Sequence, residues 1–388
     1  MKLDFVEYCE DKGKPSEWRL EGCQLGNVNL IVGKNASGKS RILKAINFLS
    51  ILLSRDVFIF PSCKFSEWIL TFDSHNQESK KVYKLVLNNG QVIEESFSIG
   101  SKNYLDRKES GEGKVWAEKL GQYIDFQTPV DGVTAFKRRD SIQHPFFDEI
   151  YNWSNSLRYY QFGTYLGKNY FLSNSNRDEM ELELKDQDRV IDIFNLGKKE
   201  IGLDFIEAIK SDMLSVGYNI SEIETECDQA DKVSHPDMKS QYIYVQESDL
   251  KDKTAQGLIS QGMFRALSLI IQVNYSLLSK RTSCILIDDI GEGLDFERAS
   301  AIIKLLIGKA QSGLIQLIMT TNDRFIMNGV PLEYWLVIER KPGLAKLHNI
   351  HNSKQIFEDF KFTGLNNFDF FATQFYMEGF GNEEQIEQ

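Results

Sequence analysis

Residues 27–40 read Asn27-Val28-Asn29-Leu30-Ile31-Val32-Gly33-Lys34-Asn35-Ala36-Ser37-Gly38-Lys39-Ser40. Positions 27–32 form a short, mostly apolar run of the kind buried in a parallel sheet. Positions 33–40 then match G-x-x-x-x-G-K-[ST] without a mismatch. From 39 to 53, Ile42, Ala45, Ile46 and Leu49 recur at helical spacing. Strand, glycine-rich turn and helix in that order make a phosphate cradle. Gly33 and Gly38 let backbone N–H groups approach phosphate oxygens. Lys39 brings positive charge to the β- and γ-phosphates, and the Ser40 hydroxyl is placed to ligate Mg²⁺. The helix aims the positive end of its dipole at the same anion. Lys34, Asn35, Ala36 and Ser37 complete the loop as candidate nucleotide contacts.

A second apolar strand, 284–287, ends in Asp288-Asp289. Two adjacent acids at the end of a buried strand are costly unless a cation compensates them, and the Mg²⁺ of a nucleotide is the matching one. Asp288 is expected to hold the metal through water, and Asp289 to polarise the attacking water. Upstream, Ser260-Gln261-Gly262-Met263 opens an amphipathic helix over 260–278, with Phe264, Leu267, Ile271 and Leu278 near one face. Taken alone, Ser260 is a helix N-cap. Downstream, 297–310 reads as a helix and 314–319 as a buried strand. Strand, helix, strand in that order implies a right-handed parallel crossover.

Between these segments, 68–72, 82–87 and 92–97 read as strands, the last two joined by Asn89-Gly90, a two-residue hairpin signal. Residues 171–257 turn polar and acidic, with helical segments at 190–194 and 205–214 and no sustained heptad. A strand is expected over 334–339. It is followed by a tail dense in aromatics: Phe357, Phe360, Phe362, Phe368, Phe370, Phe371, Phe375 and Tyr376. Core packing is their default use, and a partner surface the other.

The chain has 388 residues, which suggests two domains or one large domain with an insertion. With 42% hydrophobic and 26% charged residues it can bury a sizeable core, and global disorder is excluded. A net charge of −11 excludes a uniformly basic nucleic-acid coat but leaves room for a local groove. The compact basic clusters are Lys137-Arg138-Arg139 and Lys280-Arg281. Cys9, Cys23, Cys63, Cys227 and Cys284 show no C-x-x-C spacing, which excludes a zinc ribbon or disulfide scaffold and fits a reducing compartment. No apolar run approaches the roughly 18 residues of a membrane span, and residues 1–10 lack a signal-peptide core. A cytoplasmic chain without a membrane partner is expected.

The order of motifs resembles an ABC-type ATPase. Residues 33–40, 260–263, 285–289, Gly293-Leu294-Asp295 and Thr320-Thr321-Asn322-Asp323 look like its Walker A, signature, Walker B, D-loop and switch. The leader Val28-Asn29-Leu30-Ile31-Val32 and the S-Q-G signature are similar to the SMC/RecF-like branch, especially compact ATPases of the overcoming-lysogenization-defect kind in bacterial antiphage defence. The resemblance implies an α/β P-loop NTPase with an ABC-type ATPase head: a mixed central sheet, an antiparallel β layer and an inserted helical lobe. It also implies ATP and Mg²⁺ as cofactors and an ATP-sandwiched homodimer. In that dimer Ser260 and Gly262 of one protomer contact the γ-phosphate held by Lys39 of the other, and Asp295 crosses the interface. Asp289 stands where the family usually has Glu, and Asn322 where many relatives have a switch His. Glu292, three residues past Asp289, is the substitute carboxylate, and Gln161, after the strand-like 157–160, is the candidate Mg²⁺-contacting Gln.

The expected organisation is an ATPase lobe I over 1–170, an inserted helical lobe over 171–257, an ATPase lobe II over 258–340 and an aromatic-rich segment over 341–388. The separation of phosphate loop and signature disfavours a compact transporter subunit, and a metabolic kinase leaves the signature unexplained. The expected function is a slow ATPase that acts as sensor or scaffold of an antiphage system and controls a separately encoded nuclease or toxin. The alternative is a DNA-repair-type ATPase that clamps DNA directly.

Overall fold

The computed structural model describes residues 1–57, 59, 64–73, 76–173, 185–227, 240–280 and 283–379; Cys63 and Arg281 lie outside them. The chain forms two compact units, one from Met1–Leu157 with Pro331–Gln388, the other from Arg158–Val330. In chain order the first unit opens with β1 (Leu3–Glu10), β2 (Trp18–Gln24), β3 (Val28–Val32) and helix α1 (Lys39–Ser54). Then come β4 (Ser66–Phe72), β5 (Lys81–Asn88), β6 (Gln91–Ile99), β7 (Lys102–Arg107), β8 (Glu112–Ala117) and β9 (Gln122–Gln127), with helices α2 (Thr134–Lys137) and α3 (Phe146–Ser156). The second unit contributes β10 (Arg158–Gln161), β11 (Leu172–Ser173), α4 (Val190–Glu200), α5 (Leu203–Ser215), β12 (Ile220–Cys227), β13 (Ser240–Glu247) and β14 (Thr254–Ala255). It continues with α6 (Gln261–Leu278), β15 (Ser283–Asp288), α7 (Phe296–Ala310), β16 (Ile315–Thr321) and α8 (Arg324–Gly329). The chain then returns to the first unit through β17 (Trp335–Lys341), β18 (Leu344–His348), α9 (Lys354–Lys361), α10 (Asn367–Ala372) and α11 (Phe375–Glu378).

Within the first unit the strands run β3-β17-β18-β2-β1-β4-β5-β6-β7-β8-β9. The sheet is mixed: β17 is parallel to β3, β18 is parallel to β2, and β1 onward is an antiparallel meander. All five residues of β3 are buried: four are apolar, and the amide of the fifth, Asn29, is bonded to the Gly26 backbone. Asn89 and Gly90, at φ 49° and 78°, make the turn between β5 and β6 in the left-handed conformation that type I′ hairpins need. Helix α1 lays Ile42, Leu43, Ile46 and Leu49 into the core, and the Trp68 indole donates to its Ala45 carbonyl at 3.0 Å. Phe357, Phe360, Phe370 and Tyr376 of the aromatic tail are buried, whereas Phe362 is 87% exposed.

In the second unit β10, β15 and β16 are parallel neighbours, and α7 forms the crossover between the last two. The stretch expected as a helical lobe over 171–257 is corrected. It holds α4 and α5, but also an antiparallel sheet in the order β11-β13-β12, with β14 beside β13. In β13 the cause is a period of two within a polar composition, Ile243 and Val245 being buried between half-buried neighbours; in β12 the buried Ile220 and Ile223 stand three apart, across a register shift between Ile220 and Glu222. The two compact units divide at Leu157/Arg158 and Val330/Pro331. Among the described residues no helix is long and apolar enough to cross a membrane.

Candidate nucleotide-binding site

The phosphate-loop residues belong to the first unit. Buried Val32 ends β3 and the chain turns at once, with Ala36 at φ 59° and Gly38 at φ 112° in left-handed backbone. Gly38 is required there on two counts: its φ disfavours any Cβ, and a Cβ would stand 2.9 Å from Cζ2 of Trp18. Gly33 is required by space, since a Cβ would stand 2.2 Å from Cγ2 of Ile338 and 2.9 Å from Oγ of Ser37. Ser37 N–H donates to the Lys34 carbonyl at 3.2 Å and closes the turn. Lys39 is buried, and its ammonium donates to the carbonyls of Gly33 at 2.8 Å and Lys34 at 3.2 Å. Ser40 follows it in the first turn of α1, half-buried, while Lys34, Asn35 and Ala36 are exposed. The Arg340 guanidinium donates to the Ala36 carbonyl, and Arg41 stacks over Trp18 at 4.6 Å.

These residues fit a nucleotide polyphosphate. The Ser37 hydroxyl is buried without a hydrogen-bond partner, and the cradle beside Gly33 and Gly38 is one that Cβ atoms would fill. Lys39 rests on carbonyls of its own loop, a weaker partner for an ammonium than a phosphate oxygen.

The residues expected as Walker B acids, signature, D-loop and switch belong to the second unit. Register sets Gln161 of β10 directly beside Asp288 of β15, and Phe162 N–H donates to the Asp288 carbonyl at 2.9 Å. Asp288 is buried, and two hydroxyls hold its carboxylate. Thr320 Oγ donates to Oδ1 at 2.6 Å, and Tyr159 OH donates to Oδ2 at 3.3 Å. Burial, reinforced by the Asp288 carboxylate, raises the Tyr159 phenol well above its ordinary value, so it remains a donor. Asp289 sits at φ 53°, left-handed for a residue with a side chain, and its N–H donates to Thr320 Oγ at 2.9 Å. The strand therefore breaks at the second acid and turns through Ile290, whose N–H donates to the Thr320 carbonyl.

Glu292 is exposed in the following turn, yet its carboxylate lies over Gly163, where a Cβ would stand 2.2 Å from Oε2. Its carbonyl accepts from Arg265 at 2.8 Å, and the same guanidinium donates to the carbonyls of Thr164 at 2.8 Å and Gly163 at 2.6 Å. Arg265 thereby joins the signature helix, the segment after Gln161 and the turn after the acids. Ser260 caps α6 by accepting from Met263 N–H at 3.3 Å, and Gly262 lies under the Gly293 carbonyl, 3.0 Å from where its Cβ would be. Asp295 caps α7 through Arg298 N–H at 3.0 Å; that amide, then the Arg298 side chain, holds its carboxyl below the usual range. Asn322 leads into Asp323, the N-cap of α8.

In the second unit Gln161 stands beside Asp288 in strand register with Asp289 next in sequence, Glu292 lies over Gly163, and Ser260, Gly262 and Asp295 lie around two helix starts; among the described residues no group of three or more His, Cys, Asp or Glu side chains is placed to hold a metal ion. Sequence reasoning missed Tyr159 and Arg265, and it read Thr320 only as the first residue of the expected switch. Tyr159 had a signal, standing two residues before Gln161 on the same strand face. The bond of Thr320 to Asp288 is set by strand register, one step past the Ile287–Met319 pair, and no local pattern marks that bond. The basic cluster Lys137-Arg138-Arg139 is consumed locally: Lys137 pairs with Asp56, Arg139 lies 3.8 Å from Asp148, and Arg138 donates to the Gln127 carbonyl.

Comparison with solved structures gives the SMC head fold. A crystal structure of an SMC head bound to the C-winged helix domain of ScpA aligns with a TM-score of 0.51 at 15% identity, covering 89% of this chain and 97% of that one. An SMC head with an extended coiled coil, bound to the C-terminal domain of ScpA derived from Pyrococcus furiosus, aligns with a TM-score of 0.51 at 12% identity, covering 93% and 99%. No curated protein matches the sequence. A family described as "AAA domain, putative AbiEii toxin, Type IV TA system" matches residues 28–328, from the first strand of the phosphate loop to the helix after the switch. The mixed α/β fold, the P-loop and that match together place the chain in this family of AAA-type P-loop ATPases.

Proposed function

We propose that the protein binds and slowly hydrolyses ATP with Mg²⁺, in a dimer in which each signature completes the partner's phosphate site. The observation that carries the reading is the phosphate loop: a strand-turn-helix with left-handed Gly38, a buried Ser37 hydroxyl without a partner, and a buried Lys39 whose ammonium is drawn in to the loop carbonyls at 2.8 and 3.2 Å. Bound Mg²⁺–ATP would supply the scissile phosphoanhydride. Lys39 and the loop amides would hold its phosphates, and Ser40, Asp288 and Gln161 are the residues that would hold the metal. Asp289 orients the water, with Glu292 the second candidate, and Asn322 orients a water or phosphate oxygen without shuttling a proton. Ser260 and Gly262 stand at the N-terminus of α6, a ready anion site, and Asp295 crosses to the partner protomer.

The biological reading is a sensor or scaffold of an antiphage system that controls a separately encoded nuclease or toxin. The toxin–antitoxin description of the family supports it, and the partner-bound state of the similar SMC heads supports an assembly with another protein. Ser260→Arg tests the dimer: the variant should bind ATP yet neither pair nor turn over. Normal turnover by Ser260→Arg would sink the composite site. Salt-sensitive DNA binding by the isolated chain would move the reading to the DNA-clamping alternative.

A further inference from the structure

We infer that Thr320 and Tyr159 are positioning residues for the metal-binding carboxylate of Asp288, and that the Thr320 hydroxyl couples that carboxylate to the Asp289 backbone. The inference deepens the proposed function and rests on its assignment of Asp288 to the metal.

A threonine hydroxyl has one proton and two lone pairs. Thr320 spends the proton on Asp288 Oδ1 at 2.6 Å and accepts the Asp289 N–H at 2.9 Å. One buried atom therefore fixes both the rotamer of the first acid and the backbone of the second. The second needs fixing, because at φ 53° it sits outside the conformations that residues with side chains ordinarily adopt. Tyr159 secures the other carboxylate oxygen at 3.3 Å from the neighbouring strand. Held at both oxygens, Asp288 keeps one orientation before any metal arrives. Thr320 is fully buried and sits two residues before Asn322, so the end of β16 and the acid pair move as one piece. Removing partners of this kind typically lowers metal affinity 10- to 100-fold.

The test compares Thr320→Val, Thr320→Ser and Tyr159→Phe in the full chain. Mn²⁺ is titrated by electron paramagnetic resonance in the presence of AMP-PNP, and amide exchange at Asp289 is followed in the nucleotide-free protein. Thr320→Val should weaken Mn²⁺ binding roughly 10- to 100-fold and accelerate exchange at Asp289, while Thr320→Ser restores both. Tyr159→Phe should weaken Mn²⁺ binding and leave exchange at Asp289 unchanged, since the Tyr159 hydroxyl bonds the Asp288 carboxylate and the Gln161 side chain, whereas the Asp289 N–H donates to Thr320. Wild-type Mn²⁺ affinity and wild-type Asp289 protection in Thr320→Val would overturn the inference. If the wild-type chain fails to bind Mn²⁺ with AMP-PNP, the proposed function fails instead. The exchange pattern of the nucleotide-free variants still decides whether the clamp exists.

Discussion

Replacing Gly33 by Ala is a one-methyl probe of how the phosphate loop is seated. The new Cβ would stand 2.2 Å from Cγ2 of Ile338, well inside any allowed carbon–carbon contact, and 2.9 Å from Ser37 Oγ. Ser37 can rotate at little cost. Ile338 is 3% exposed in β17, whose register with β3 is fixed at Trp335–Leu30, Leu336–Ile31 and Val337–Val32, so it has nowhere to go. The loop must move. Overpacking of this kind costs about 1–3 kcal/mol. Expressed as lost nucleotide affinity, that is roughly 5- to 150-fold at about 1.4 kcal/mol per tenfold. The contact also specifies its own remedy. Ile338→Ala removes Cγ2 and keeps only the Cβ, 3.6 Å from the new methyl and in ordinary contact. Alone, Ile338→Ala should cost about 2–5 kcal/mol of stability by opening a cavity. Combined with Gly33→Ala it should restore most of the lost affinity, with a coupling energy of about 1–3 kcal/mol. Fluorescent-ATP titrations and urea midpoints on the four proteins of the cycle supply both quantities. Strict additivity, or wild-type affinity in Gly33→Ala, would refute the packing argument.

Lys39→Ala should abolish measurable ATP binding in the same titration while leaving the fold intact by circular dichroism. Asp289→Asn should keep ATP binding and lower steady-state hydrolysis at least tenfold, within the roughly 10²–10⁴-fold that a positioned base contributes; unchanged turnover there with collapse in Glu292→Gln would transfer the role to Glu292. Asp295→Ala should destabilise α7 by about 1 kcal/mol through its lost cap. Because the folded-state pKa of Asp295 is depressed, its contribution is present above the ordinary carboxylate value and fades as pH falls through the folded value, so the wild-type and variant melting curves should converge in acid. Alanine at Lys137, Arg138 and Arg139 together should leave any DNA affinity within about twofold, since each side chain already has a local partner; a reduced salt slope would contradict this.

Much of this architecture was legible along the chain because its signals are local. The loop 33–40 carries its own chemistry, α1 and α6 show helical periodicity, and Asn89-Gly90 dictates a hairpin. The parallel strands β15 and β16 followed from apolar runs of strand length. What stayed hidden depends on register or on long-range packing. The sheet of β12 and β13 hides in an acidic stretch because its inward residues stand among Glu, Gln and Tyr. The clamp on Asp288 joins residues from three strands, and the spacing of Tyr159, Asp288 and Thr320 in sequence carries no trace of it. The left-handed turn at Asp289 is likewise invisible, since Asp tolerates that conformation and does not announce it.

The parallel pairing of β17 with β3 has a consequence for how the chain matures on the ribosome. Strand β3 and the phosphate loop emerge early, but Ile338 and Arg340, which seat that loop, are synthesised roughly 300 residues later, an interval of roughly 15–60 s at 5–20 residues per second. During that interval an apolar strand, every residue of which ends up buried, waits without its neighbour β17. The nascent chain is then open to misassociation, and nucleotide-binding competence should arise as a late event, after β17 has left the exit tunnel.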